Sequence, residues 1–217
     1  MLGVLMLDTI FPRPVGDIGN PLSFPFPTRY IKIENASPEK VVFDRATGLV
    51  EDFIVAAQLL EAEGCKAIVT SCGFLALQHH QIASAIRLPF ASSSLCWLPT
   101  LYNAFGGPQC VGILTASVAA LSDAHITALG GITTSPRAGM PSDSEFSRVI
   151  LGNQAQGDMG KIRQEICAAA VMFIKEHPQV RALVLECTNM SPYAAEISKL
   201  TQRPVFDLVG LAKQMMA

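Results

Sequence analysis

Short runs dominated by Val, Ile and Leu alternate along the chain with longer stretches in which apolar residues recur at helical spacing. A continuous apolar run is what a strand needs when both its faces are covered, and regular alternation with helices makes the sheet parallel. The pattern predicts strands at Gly3–Leu7, Tyr30–Ile33, Ala67–Ser71, Pro89–Ser92, Val111–Thr115, Ala182–Glu186 and Pro204–Asp207. It predicts helices at Ala46–Glu63, Phe74–Ile86, Ser117–Leu129, Ser142–Leu151, Gly160–His177 and Pro192–Thr201. The fold class is therefore α/β.

An internal repeat divides the chain. Gly3-Val4-Leu5-Met6-Leu7-Asp8-Thr9 resembles Gly112-Ile113-Leu114-Thr115-Ala116-Ser117, and Ala67-Ile68-Val69-Thr70-Ser71-Cys72 aligns with Ala182-Leu183-Val184-Leu185-Glu186-Cys187. Both pairs recur at similar offsets, which implies two similar halves, 1–105 and 106–203, with residues 204–217 returning to the first. Asn103–Gln109, which contains Gly106, Gly107 and Pro108, reads as the crossing between them. Ligands of open α/β sheets bind beyond the carboxyl ends of the strands, so two facing halves would bring both cysteines to one cleft.

Composition narrows the function classes. Of 217 residues, 50% are hydrophobic and 16% charged, yet no apolar stretch reaches the ~18 residues of a membrane span. Met1–Ile10 contains Asp8 and lacks a basic leader, so it reads as a first strand rather than a signal peptide, and the protein reads as soluble and cytoplasmic. With 16 basic and 18 acidic residues and no basic run, there is no footprint for nucleic acid or a membrane surface. The expected partner is a small-molecule carboxylate or amino-acid-like substrate; the sequence leaves room for a homo-oligomer.

Six cysteines, at 65, 72, 96, 110, 167 and 187, show no zinc-binding spacing, and in a reducing compartment they are free thiols. Cys65, Cys110 and Cys167 read as small buried hydrophobes. Cys72 and Cys187 each end a strand and precede a helix, where the helix dipole is expected to lower the thiol pKa. Two equivalent thiols suit removal of a proton from one face of a carbon and delivery to the other, which is racemisation. Ser71, Thr115, Thr188 and Asn189, with Asp8 and Thr9 after the first strand, supply hydroxyls and amides for a substrate carboxylate. No lysine or ligand cluster accompanies them, so neither pyridoxal phosphate nor a metal is expected.

These residues carry a resemblance. Val69-Thr70-Ser71-Cys72-Gly73-Phe74 and Leu185-Glu186-Cys187-Thr188-Asn189-Met190, with the Asp8-Thr9 loop, resemble the aspartate/glutamate/hydantoin racemase superfamily over nearly the whole chain. The resemblance implies two pseudo-symmetric Rossmann-like halves, each a mainly parallel sheet with helices on both faces, and a cleft between them. It implies cofactor-independent racemisation of an aspartate- or glutamate-like substrate, with Cys72 and Cys187 as acid and base and Asp8 and Thr188 assisting. Glutamate racemases usually show Cys-Asn-Thr and Cys-Thr-His, whereas this chain has Cys72-Gly73-Phe74 and Cys187-Thr188-Asn189 and so lacks the assisting histidine. Gly73 and Phe74 take the place of polar groups beside the substrate. Glu186 and Asn189 are alternative supports for Cys187, although on an ideal strand Glu186 points away and serves as a structural ion-pair partner.

The same residues admit other readings: a hydantoin racemase, a decarboxylase or cis-trans isomerase using one cysteine, or a non-catalytic binding protein. His79, His80, His125 and His177 read as helix-surface residues. Gly152, Gly157 and Gly160 follow no strand, so no dinucleotide loop is inferred. The proline-rich stretch Phe11–Tyr30 reads as a loop covering the substrate, with Arg29 as its anion-binding residue.

Overall fold

The computed structural model describes all residues, 1–217. Eight strands form two four-stranded, wholly parallel sheets. The first contains β1 (Leu2–Met6), β2 (Thr28–Lys32), β3 (Ala67–Thr70) and β4 (Phe90–Ala91), in the order β2-β1-β3-β4. The second contains β5 (Val111–Thr115), β6 (Arg137–Gly139), β7 (Ala182–Leu185) and β8 (Val205–Phe206), in the order β6-β5-β7-β8. Strand for strand the orders are the same, as the repeat requires. The central strands β3, β5 and β7 are buried at every position and β1 at all but its last, which is why they read as unbroken apolar runs.

Seven α-helices complete the halves: α1 (Val50–Ala62), α2 (His79–Ser84), α3 (Leu98–Phe105), α4 (Asp123–Ala128), α5 (Met159–Glu176), α6 (Ala194–Thr201) and α7 (Leu208–Met215). Gly3 in β1 lets α1 approach so closely that a Cβ there would lie 2.9 Å from a Leu60 methyl; Gly112 in β5 does the same under the Phe173 ring of α5. The last helix of each half crosses over. α3 packs on β5 and β7, and α7 packs on β3 and β4, where Leu208, Val209 and Ala212 meet Leu2, Val4 and Val69.

Several predicted elements differ. The segments after Cys72 and Cys187 are 3-10 turns, Gly73–Gln78 and Thr188–Tyr193, before α2 and α6 begin. The predicted helix at Ala46 starts only at Val50, because Arg45, Ala46 and Gly48 have positive φ (52°, 55° and 77°). A π turn at Glu39–Phe43 precedes it, and the predicted helix Ser142–Leu151 is a second π turn at Ser147–Leu151. The helix predicted over Ser117–Leu129 is confined to α4. β6, α3 and α7 went unpredicted. No helix is long and apolar enough to cross a membrane. His125 is fully buried in a capping box with Ser122 rather than on a helix surface, and burial pushes its pKa down to about 4.

Most of the proline-rich stretch is scaffold. Ile18 and Phe24 pack on the sheet face that α7 also covers, and Asn20 caps a short 3-10 turn at Pro21–Ser23. Only its beginning, Phe11 and Arg13, reaches the cleft described next.

Candidate active site

In each sheet the chain reverses its direction of strand addition between the first and third strands, β1 and β3 or β5 and β7. A crevice opens at the carboxyl ends of strands at such a point. The two crevices meet in one cleft, lined by Leu7, Ser71, Cys72, Gly73 and Phe74 from the first half and Ala116, Glu186, Cys187, Thr188 and Asn189 from the second. Phe11 and Arg13 close one side. The two π turns and their approaches close another, through Pro38 and Val42 and, symmetrically, Ile150 and Leu151. The enclosed cavity measures ≈ 20 Å³, room for one or two water molecules.

Both cysteines therefore share one pocket, and each sulfur meets the backbone N–H two residues on, Phe74 for Cys72 and Asn189 for Cys187. Cys187 Sγ also donates to Asn189 Oδ1 at 3.5 Å, and Asn189 is anchored in turn by its Nδ2 donating to Asp17 Oδ2 at 2.8 Å. The expected dipole activation is absent. Burial, then the nearby Glu186 carboxylate, pushes the Cys72 thiol up to about 12, and the same two causes raise Cys187. Short 3-10 turns carry too few aligned peptides to offset desolvation. Arg13 acts on Cys72 in the opposite sense, lowering its pKa.

The cleft is tied together across the halves. Thr188 Oγ1 donates to the Ser71 carbonyl at 2.7 Å, and Ser71 Oγ accepts from Leu7 N–H at 2.9 Å. Ser94 Oγ, from the first half, donates to the Leu185 carbonyl at 2.6 Å.

Glu186 departs from the strand-alternation expectation. Its carboxylate turns into the same pocket as Cys187, fully buried, and forms no ion pair. Thr115 Oγ1 donates to its Oε2 at 2.6 Å, the Ala116 N–H also serves it, and Oε1 has no partner. Burial pushes its pKa up to about 7. Thr115 thus acts through Glu186 rather than lining the pocket itself.

Three expected substrate-binding residues lie elsewhere. Arg29 sits at the opposite, amino-terminal end of the first sheet, paired with Gly3 in register and bonded to Glu63 at 2.7 Å. Asp8 turns outward to Lys32 at 2.9 Å. Thr9 is outside the pocket too and accepts from Arg13 at 2.9 Å. The cation that does line the cleft is Arg13, bound to the buried Asp17 at 2.7 Å and lying 4.5 Å above the Phe11 ring. Its signal in the sequence was its place close behind β1, where the carboxyl ends of the strands gather.

No family model matches the chain. Among curated proteins, it is 28% identical over 221 residues to a protein of Durusdinium sp. clade D named dimethylsulfoniopropionate lyase, covering 96% of this chain and 71% of that one. It is 26% identical over 234 residues to dimethylsulfoniopropionate lyase 6 of Emiliania huxleyi, covering 100% of this chain and only 59% of that relative's length. These names overturn the isomerase reading: the curated relatives are lyases, not amino-acid racemases. Among solved structures, glutamate racemase from Bacillus anthracis superposes with a TM-score of 0.60 at 17% identity, over 99% of this chain and 79% of that one. Arylmalonate decarboxylase gives 0.55 at 16%, over 98% and 88%, and allantoin racemase from Pseudomonas fluorescens gives 0.54 at 14%, over 100% and 91%. Racemases and a decarboxylase share this scaffold, so the likeness speaks to architecture and not to reaction. The chain shares the fold of these solved racemase and decarboxylase structures.

Proposed function

We propose that this chain is a lyase that cleaves a 3-sulfoniopropionate of the dimethylsulfoniopropionate kind by β-elimination. A base removes a proton from the carbon next to the carboxylate. The released electron pair forms the carbon–carbon double bond, and the carbon–sulfur bond breaks with its pair on sulfur, giving acrylate and a neutral dialkyl sulfide. The leaving group departs uncharged and needs no proton, so the chemistry asks for one base and a site that tolerates a carboxylate and a positive sulfur together.

The observation that carries this reading is the content of the pocket both cysteines share, two thiols beside one cation and one buried carboxylate, in a chain whose curated relatives bear that activity in their names. Cys72 is the base. It is the more accessible thiol and Arg13 lowers its pKa, whereas Cys187 faces more negative neighbours and donates its hydrogen bond to Asn189. The amide opening the 3-10 turn at Thr188 and the positive charge of Arg13 receive the substrate carboxylate. Burial and then the Glu186 charge hold Cys72 protonated, and an arriving sulfonium offsets the second of these, so the substrate itself promotes the thiolate. A propionate chain exceeds the closed cavity, so the walls at Pro38–Val42 and Ile150–Leu151 part on entry. We place the protein in the cytoplasm, where its six free thiols stay reduced.

The test is incubation of the purified protein with dimethylsulfoniopropionate, with headspace detection of dimethyl sulfide and proton NMR of acrylate. Equal amounts of both products, absent with Cys72→Ser, are expected. Wild-type protein that binds the compound and releases neither product would overturn the reading.

A further inference from the structure

Glu186 is a fully buried acid with no ion-pair partner. Its carboxylate is fully buried, no cation bonds to it, and Oε1 faces the pocket without a partner, whereas Oε2 is held by Thr115 and the Ala116 amide. Burying an anion without a counter-charge costs several kcal/mol in general, so such a group is a poor structural element. The remaining pocket wall is largely apolar: Leu7, Phe11, Val42, Phe74, Ile150 and Leu151. Residue 73 lies directly against this carboxylate, which only glycine allows; a Cβ there would collide with the Glu186 carbonyl and Oε1. The other charge in the lining, Arg13, is already held by Asp17 and Thr9. Cys72 senses both, Glu186 raising its pKa and Arg13 lowering it.

We propose that Glu186 is the specificity-determining counter-charge for an onium group, binding a sulfonium or quaternary ammonium carbon shell against Gly73 and the Phe74 ring and selecting cationic over neutral substrates. Methyl groups on a positive centre are apolar outside and diffusely charged, which matches an anion set in an apolar wall with an aromatic face nearby. The inference rests on the lyase reading for its substrate class alone; the recognition it describes needs no turnover.

Two ligands of the same shape separate charge from size: 3-(trimethylammonio)propanoate and its neutral-tailed carbon isostere, 4,4-dimethylpentanoate. Calorimetric titration of the wild type at about pH 8 is expected to show the ammonium ligand binding at least tenfold tighter, a ratio that Glu186→Gln collapses towards one and Glu186→Asp partly retains. A ratio unchanged in Glu186→Gln, or a wild type that favours the isostere, overturns the proposal. Should the glutamine variant fail to fold, the wild type alone decides. Its ratio should rise between about pH 6 and about pH 8.5 as Glu186 ionises, and a flat ratio overturns the proposal equally. The titratable and charged groups that line the pocket with Glu186 are Cys72, Cys187 and Arg13; in the ligand-free protein both thiols stay protonated through that range, held up by burial. A wild type that prefers the cation yet releases no sulfide leaves this inference standing and removes the lyase reading; sulfide release without cation preference does the reverse.

Discussion

The hydroxyl of Thr188 donates to the carbonyl of Ser71 at 2.7 Å, so the residue after one cysteine is bonded to the residue before the other. Both partners are buried, and the bond joins the residue that follows β3 of one sheet to the turn after β7 of the other, fixing the spacing of the two thiols. Thr188→Val keeps the shape and removes the donor, leaving a buried carbonyl unpaired at a cost of about 1–3 kcal/mol. Thermal denaturation should show a Tm lower by roughly 2–10 °C. Turnover should fall by about tenfold or more with KM little changed, because the bond positions the base rather than the ligand. A Tm drop with kcat intact would make the contact purely structural.

The two thiols should not be equivalent. Elimination moves one proton from carbon, so one base suffices, whereas racemisation engages both faces. Cys72→Ser should lower kcat by roughly 10²–10⁴-fold, the usual worth of a general base. Cys187→Ser retains a donor to Asn189 and should lose no more than about tenfold. The comparison is steady-state sulfide release by each variant. A larger loss in Cys187→Ser would transfer the base to that residue, and equal losses would point to a shared role.

The sequence made the strands carrying the chemistry visible because they are buried on both faces and so read as apolar runs. β6, Arg-Ala-Gly at 137–139, has no such run and exists because β5 offers it a partner edge. The two π turns share the apolar spacing of ordinary helices, so periodicity does not distinguish them. At 44–48, however, Gly48 among polar residues was a readable stop. The cysteine pair was legible through its repetition. Arg13 was legible only through its place behind β1, because the proline-rich stretch carries two arginines and Arg29 instead opens β2, at the amino end of the sheet. The reaction was least legible of all. Racemisation, decarboxylation and elimination on this scaffold all develop negative charge on the carbon beside a carboxylate, and they differ in what departs, which is a property of the substrate.

Glu186 imposes a pH dependence on stability whose sign differs from that of an ordinary ion-paired carboxylate. Its folded pKa is raised from 4.5 to about 7, so between those values the folded state binds more protons than the unfolded one. Stability contributed by the neutral acid is therefore complete below about pH 4.5 and falls as pH rises to about 7, by at most roughly 3 kcal/mol. Urea denaturation of ligand-free protein at about pH 5 and about pH 8 should show this loss, and Glu186→Gln should largely abolish it, making the variant the more stable protein at the higher pH. An unchanged difference in the variant would assign the slope to other groups.

Gly73→Ala offers the sharpest probe of how site and scaffold are joined. The new Cβ would meet both the backbone carbonyl and the carboxylate Oε1 of Glu186, and would lie 3.0 Å from Cδ. The carboxylate can rotate aside, but the carbonyl belongs to a residue whose N–H is fixed to Leu114 at 2.7 Å, so part of the overlap must be taken up by moving residues 72–74. Overpacking of this kind costs about 1–3 kcal/mol. It should also displace Cys72, reducing kcat, and expel Glu186 from its place beside the ligand, weakening onium binding. Adding Glu186→Ala removes the side-chain half of the clash. The double variant should regain part of the lost stability while remaining inactive, a non-additivity of about 1 kcal/mol or more that two unconnected sites would not show. Denaturation curves and sulfide release on the two single variants and the double variant read this directly. If Gly73→Ala proved both stable and fully active, the close packing of Gly73 on Glu186 would have no part in the function of the site.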